Sequence, residues 1–546
     1  MPGHDIIDSY GLATVLYGFA GAGYFWDTGE NIIPRKIFIQ CFLVILSAYA
    51  AGWGCIKVGP DFTRPDAPVS ASWLESRDER LSDQPANYRT WWHAFNDPAL
   101  NRIIDLAYRQ NLTLKAAGLR VLEGRALLGI SVGMLFPQDQ RLTGSYERNR
   151  VSGGAFQAGA LTQQIYDQAQ AGIAVSWEID FWGRYRRDIE SVRNLWKASL
   201  ADYDSALVSL TADAATFYIA IRTLEKRVDI TRQNTAIQKE SLGIAEARYN
   251  AGTTSERDVE QARTQFMDTQ ATTPLLEGQL LQAKNGLSVL LGLPPGDLTD
   301  LLSGTSDIPT PPVRVAVGIP ADLLRRRPDI RSTEYQAASQ CARIGVAKAD
   351  LLPAFSLVGT FDFLATDALK SSTGDLFRWN NRQYTWGPVG NWKILNYGRL
   401  YNAVRVEDAR FQQLIVSYQN TVLKAQQEVE DALAGFLRSQ ERAEFLAESL
   451  KSAKASLNIA IAQYREGVAD YTTVISAQQA LLNAQDSLAG TLGDVSRYLT
   501  ATYRALGGGW QIRENMDLVP QETKDVMLER TNWGDLLKPS VYIPRD

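Results

Sequence analysis

Few side chains in this 546-residue chain could make or break bonds. There are two histidines, His4 and His93, and three cysteines, Cys41, Cys55 and Cys341. Cys/His zinc clusters and a disulfide-stapled fold are thereby excluded. A Ser-His-Asp triad would need one of the two histidines, and His4 lies in a segment expected to be removed. Neither G-x-x-x-x-G-K nor H-E-x-x-H occurs. No catalytic residue, metal or cofactor is expected. Two features remain. Cys55 follows a signal-like stretch, and a cysteine at the cleavage point of a bacterial signal can carry lipid on its sulfur and amine. Arg325, Arg326 and Arg327 look like a phosphate site in isolation. Pro328 and Asp329 follow at once, however, and proline in a first helical turn beside an acid favours a salt-bridged helix start.

The elements that would position Cys55 are those of an export signal. Arg35 and Lys36 precede the apolar run IFIQCFLVILSAYAA, Ile37 to Ala51, and Gly52 and Gly54 follow, bracketing Trp53. The competing reading is a membrane anchor helix, which needs about 20 apolar residues. Residues 1 to 34 read as an over-extended start. The lipidation match is imperfect: Gly52 stands three before the cysteine, where an aliphatic residue is usual, and Trp53 is bulky. With the signal removed, only Cys55 and Cys341 remain. Acylation of Cys55 leaves no intrachain disulfide, and Cys341 should behave as a small buried hydrophobe.

Charge is nearly balanced, with 56 Lys+Arg against 61 Asp+Glu. Without a basic excess to neutralise phosphates, nucleic-acid binding is not expected. Hydrophobic residues make up 45% of the chain, the share of a folded protein. Length alone would suggest three or four domains at about 150 residues each. Periodicity argues instead for one elongated unit. Beyond Cys55 no stretch approaches 18 apolar residues, the usual signature of a spanning helix, so a membrane crossing would have to be a closed barrel of strands.

The chain is a tandem duplication. Trp177, Gly183, Tyr249, Gly252, Val259, Ala262 and Gly292 recur 215 positions later as Trp392, Gly398, Tyr464, Gly467, Val474, Ala477 and Gly507. Ala126, Gly129 and Pro137 recur at a spacing of 216 as Ala342, Gly345 and Pro353. Each copy predicts a helix ending near Pro137 or Pro353, two strands separated by a Gly- and polar-rich loop, then two long helices separated by a glycine turn.

The strands rest on alternation. Ala171, Ile173, Val175, Trp177 and Ile179 alternate with smaller or polar residues, as do Phe355, Leu357, Gly359, Phe361 and Phe363. Trp386 and Trp392 flank the fourth strand, and the first, near Leu142 to Arg148, is the weakest. Each is about 10 residues, enough for a tilted strand to cross a bilayer; an ordinary soluble hairpin competes. Four strands cannot close a useful barrel, whereas three chains contributing four each can. Residues 183 to 249 and 398 to 464 contain no proline. Leu446, Leu450, Ala453, Leu457, Ala460 and Tyr464, and after Gly467 Val474, Ala477, Leu481, Ala484 and Leu488, step by three and four as in coiled coils. The polar faces opposite could line a lumen or face bulk solvent. Trp91, Trp92 and Phe95 should seed a packing cluster.

Four motifs appear in order: CIKVGPDFTRP (Cys55 to Pro65), WWHAFNDPAL (Trp91 to Leu100), DFWGRYRR (Asp180 to Arg187) and GIPADLLRRRPDIR (Gly318 to Arg331). Together they resemble the outer-membrane factors of tripartite efflux systems, the TolC-like family, and its NodT-type lipoprotein branch. The resemblance covers roughly residues 55 to 510. It implies a mainly α fold with a small β part. Long antiparallel coiled-coil helices would form a tunnel, and four transmembrane strands per chain would join a twelve-stranded barrel in a homotrimer. The expected divisions are 1–54 extension and export signal, 55–100 lipid-anchored segment, 101–295 first repeat, 296–317 linker, 318–510 second repeat and 511–546 equatorial tail. The partners implied are a periplasmic adaptor, an inner-membrane pump and outer-membrane lipid.

The resemblance also implies a gate at the turns around Gly252 and Gly467, closed by side-chain links. Asp258, in RDVEQA, matches an aspartate of such links and Tyr464 a tyrosine partner. Ala469 stands where an arginine is expected, and Arg465 is the substitute. Thr473 and Ser476 occupy acidic positions of copy two, so Asp258 and Glu260 of copy one are left to form carboxylate rings that would favour cations. The competing reading of both acids is a solvated helix start matched to the dipole. The alternatives to efflux are the outer component of a type I-like protein-secretion system and a periplasmic scaffold without a pore.

Overall fold

The computed structural model describes residues 57–82, 88–152, 164–304, 307–316, 318, 320, 326–368 and 372–544. The signal, Cys55 and Arg325 lie outside them. The elements follow the duplicated plan. Helix α1 (Pro98–Gln110) leads into α2 (Leu112–Gly133), strands β1 (Asp139–Arg150) and β2 (Ile165–Ile179), and helices α3 (Arg184–Asn250) and α4 (Glu256–Leu290). The second copy runs α5 (Pro328–Ala349), β3 (Ala354–Thr366), β4 (Arg382–Asn391), α6 (Arg399–Arg465) and α7 (Tyr471–Ala505), with α8 (Gln521–Arg530) and α9 (Pro539–Tyr542) after it. Helices α3 and α6 are each 67 residues, and α4 and α7 each 35. At about 1.5 Å per residue the longer pair spans about 100 Å.

These four strands form one antiparallel sheet in the order β1-β2-β3-β4, so the two copies meet at β2 and β3, and a short parallel pair joins Leu81–Ser82 to Val315–Ala316. The first strand is longer than its alternation suggested, because as an edge strand it shows only Leu142 and Tyr146 as large apolar residues. Trp386 lies within β4 and only Trp392 flanks it. Register aligns Leu142, Ile173, Phe361 and Tyr384 across all four strands, and all four are exposed. On the opposite face Thr143, Gly172, Asp362 and Gln383 align. The outer edges of β1 and β4 have no strand partner among the described residues. An exposed apolar face beside two unsatisfied edges is untenable for a lone chain in water, and equally so in lipid.

The four motifs are clamps at junctions. Asp97 caps α1 through the Ala99 and Leu100 amides, Pro98 takes the first helical position, and the Tyr218 hydroxyl donates to the second Asp97 oxygen at 2.7 Å. Trp91, Trp92 and Phe95 are buried in the main core with Leu207, Phe436 and Leu499. Asp180 accepts from the Tyr185 and Arg186 amides and from the Arg186 guanidinium, holding the turn into α3. Arg187, almost fully buried, donates to the Val58 and Gly59 carbonyls and pairs with Asp61 and Glu190. This ties the segment after Cys55 to the top of α3. From there residues 66 to 80 run along α6, bound in turn by Gln419, Gln426, Glu430, Arg438 and Glu441. Arg327 starts α5 as expected: it grips Asp329 through two bonds, Glu428 at 2.7 Å and the Ala505 carbonyl at 2.9 Å. Burial opposes its charge, but the two carboxylates prevail and raise its pKa. Cys341 is buried, and burial pushes its thiol pKa up.

Candidate functional site at the helical turns

Each long helix ends in a turn that its glycine makes possible. Gly252 (φ 71°) donates to the Tyr249 carbonyl while Thr253 donates to that of Arg248. Gly467 (φ 77°) donates to Tyr464 while Val468 donates to Gln463. These are paired reverse bonds that close a helix C-terminus and need a left-handed residue. Beneath the turns Ala245, Val259, Ala262, Leu457, Ala460, Tyr464, Tyr471, Val474, Ala477 and Leu481 pack as a separate apolar cluster. Small alanines alternating with leucines let the two hairpins approach closely.

Among the residues singled out from the sequence, Asp258 and Tyr464 come together. Asp258 is nearly buried and accepts from Thr254 Oγ1 at 2.5 Å and Ser255 Oγ at 3.3 Å. Tyr464 stacks edge-on against Tyr471, with ring centroids 5.1 Å apart. Burial raises its pKa, the Asp258 charge adds to this, and Thr254 and Arg248 oppose it. Glu260 and Arg465 lie apart. Glu260 pairs with Arg263 at 2.7 Å on the exposed face of α4. Arg465 pairs with Glu240 of α3 at 2.9 Å. The cation that meets the tyrosine is Arg248. Its guanidinium sits 4.6 Å from the Tyr464 ring centroid and donates to the Tyr464 carbonyl, linking the end of α3 to the end of α6. Sequence reasoning missed it because position 463, its counterpart in the second copy, is glutamine, so the repeat did not single it out.

The described residues include no group of three or more potential metal ligands. The pattern G-x-S-x-G occurs at Gly129 to Gly133. Ser131 there is buried within helix α2, where a nucleophile elbow would need a strand-to-helix turn.

Four strands with an outward apolar face, set on long paired helices, define a subunit of a membrane channel. The chain matches the outer membrane efflux protein family over residues 103–293 and 319–508. Nodulation protein T of Rhizobium leguminosarum bv. trifolii is 28% identical over 459 residues, 84% of this chain and 95% of that protein. The toluene efflux pump outer membrane protein TtgI of Pseudomonas putida is 30% identical over 469 residues, 85% and 97%. The solved outer-membrane channel OprN is similar with TM-score 0.77 and 31% identity, covering 83% of this chain and all of that one. This chain belongs to the outer membrane efflux protein family. It is an outer-membrane channel protein of efflux, and the mainly α fold with a small β part expected from its motifs is the one observed.

Proposed function

We propose that three copies of this chain form one duct through which an inner-membrane pump, coupled by a periplasmic adaptor, expels small toxic compounds. The carrying observation is the open four-stranded sheet, apolar on one exposed face and, among the described residues, unpaired at both edges. Three such sheets close a twelve-stranded barrel without edges. Relatives described as solvent and toluene efflux proteins support the substrate class. Protein purified from outer membranes should migrate as a trimer that falls apart on heating; a fully folded monomer in detergent would overturn the reading. Deleting the gene should raise susceptibility to a panel of solvents and antibiotics. Unchanged susceptibility with loss of a secreted protein would assign it to protein export instead.

The tip is the gate in this reading. Asp258 and Tyr464, with Arg248 between the hairpins, hold the turns at Gly252 and Gly467 together, while Glu260 and Arg465 lie around them. Asp258→Ala or Tyr464→Ala should raise single-channel conductance in planar bilayers. Equal conductance in both variants would remove these residues from the gate. Cys55 is the proposed lipid attachment point. Cys55→Ala should lose all palmitate labelling; retained label would place the lipid elsewhere.

A further inference from the structure

The seam between α3 and α7 carries buried polar side chains where a coiled coil ordinarily has apolar ones. Thr231, Asn234, Gln238 and Ser241 step along α3 by three, four and three, and none is more than 3% exposed. On α7, Gln478 and Gln485 are seven apart. Gln478 Nε2 donates to Ser241 Oγ at 2.7 Å, and Asn234 Nδ2 donates to Gln485 Oε1 at 2.6 Å. These two bonds fix an antiparallel register in which position 238 falls opposite Leu481, a buried apolar residue. Gln238 therefore has no use for its amide here. It is 1% exposed, and neither its nitrogen nor its oxygen has a hydrogen-bond partner among the described residues. The Gln478 oxygen is likewise bare, and Thr231 donates back to its own helix at the Arg227 carbonyl. A buried amide with both groups unmatched destabilises this register, where leucine would pack.

The spacing gives the unmatched amide a partner in another register. The four α3 positions form two interleaved pairs, 234 with 241 and 231 with 238. Each pair is seven apart, the spacing of Gln478 and Gln485. Moving α7 by three residues, about 4.5 Å, sets Gln478 opposite Gln238 and Gln485 opposite Thr231. Two polar rungs are exchanged for two others, and the Arg227–Asp486 ion pair across the same seam, at 2.6 Å and 3.0 Å, has to follow the move. The direction of this move draws the Gly467 turn back toward the sheet, and with the end of α6 following that turn it separates Tyr464 from Arg248. Gly490 interrupts α7 between the rungs and the main core, where a helix lacking a side chain bends most readily, whereas Gly493 is packed against Thr223 of α3. Gly490 has open space around it.

We propose that the α3–α7 seam is a two-register polar zipper whose slip of about one helical turn opens the tip. This rests on the reading of the tip as a gate. The test uses cysteine pairs in the full-length protein reconstituted in planar bilayers, under oxidant and then reductant. Ser241→Cys with Gln478→Cys should cross-link and hold the low-conductance state. Gln238→Cys with Gln478→Cys should also cross-link, and hold a conductance at least about twofold higher that reverts on reduction. Failure of the second pair to cross-link, or cross-linking at unchanged conductance, overturns the zipper. Gln238→Leu, which keeps the seam packed, should abolish most spontaneous openings, and an unchanged opening frequency also overturns it. If Asp258→Ala and Tyr464→Ala raise conductance while these variants do not respond, the zipper alone falls. If the unmodified protein forms no pore, the functional reading falls first.

Discussion

Asp204→Ala should cost the folded chain about 3–5 kcal/mol, the price of stranding buried charge. Asp204 lies on α3, fully buried. Its carboxylate takes two bonds from the Arg513 guanidinium, one of them from Nη2 at 2.8 Å, and Arg331 of α5 approaches to 3.9 Å. Both arginines also lie against Trp510, at 5.4 Å and 5.5 Å from its ring centroid, and the Trp510 indole donates to the Arg326 carbonyl. One carboxylate thus joins the first repeat, the start of the second and the turn that follows α7. Removing it takes the shared carboxylate from two guanidiniums that lie against a half-buried tryptophan. The measurement is the temperature at which the detergent-solubilised oligomer loses its heat-dependent mobility. It should drop by several degrees for Asp204→Ala, and by less for Asp204→Asn, which still accepts one bond. A midpoint equal to the parent protein's would show that the two arginines are satisfied without it.

Much of this architecture was legible because duplication makes a sequence its own comparison. Gly252 and Gly467, or Trp177 and Trp392, mark equivalent places whatever their local propensity, and the two pairs of equal-length helices follow. Edge effects were harder to read. Strand β1 has only Leu142 and Tyr146 to signal its apolar face, because its remaining positions are polar or small. The tip was legible where it obeys the repeat and illegible where it departs from it. Tyr464 stood out as the partner of Tyr249, but Arg248 has no counterpart at Gln463. Arg465 looked suited to the missing arginine by type and proximity, yet its long side chain turns to Glu240 on the neighbouring helix. Which carboxylate a surface arginine chooses depends on helix rotation, which spacing along one chain does not supply. The unmatched amide of Gln238 was hidden for the same reason: glutamine in a long polar-faced helix reads as solvated until the neighbouring helix buries it.

Gly172→Val should abolish the assembled barrel, because the polar row of the sheet has no room for a side chain there. Gly172 pairs with Asp362 across the β2–β3 junction where the two repeats meet. A Cβ added at Gly172 would stand 1.9 Å from the Asp362 carboxylate, 2.6 Å from the Phe361 carbonyl and 2.7 Å from the Asp362 Cα. The carboxylate is itself nearly buried, so it cannot swing aside freely, and the other two atoms are backbone. The strands would have to part, and in a bilayer each ladder bond so lost leaves polar groups with no water to satisfy them. Overpacking of this kind costs about 1–3 kcal/mol in a soluble core, and more is expected where the backbone itself must yield. Gly359→Ala is the control. It lies in β3 on the opposite, apolar face, and its added Cβ would find its nearest neighbours at 3.9 Å. The control should give normal amounts of heat-dissociable oligomer in outer-membrane fractions while Gly172→Val gives none. Oligomer at parental levels in Gly172→Val would mean that β2 and β3 are not joined in this register, and the closure of three four-stranded sheets would have to be redrawn from that junction outward.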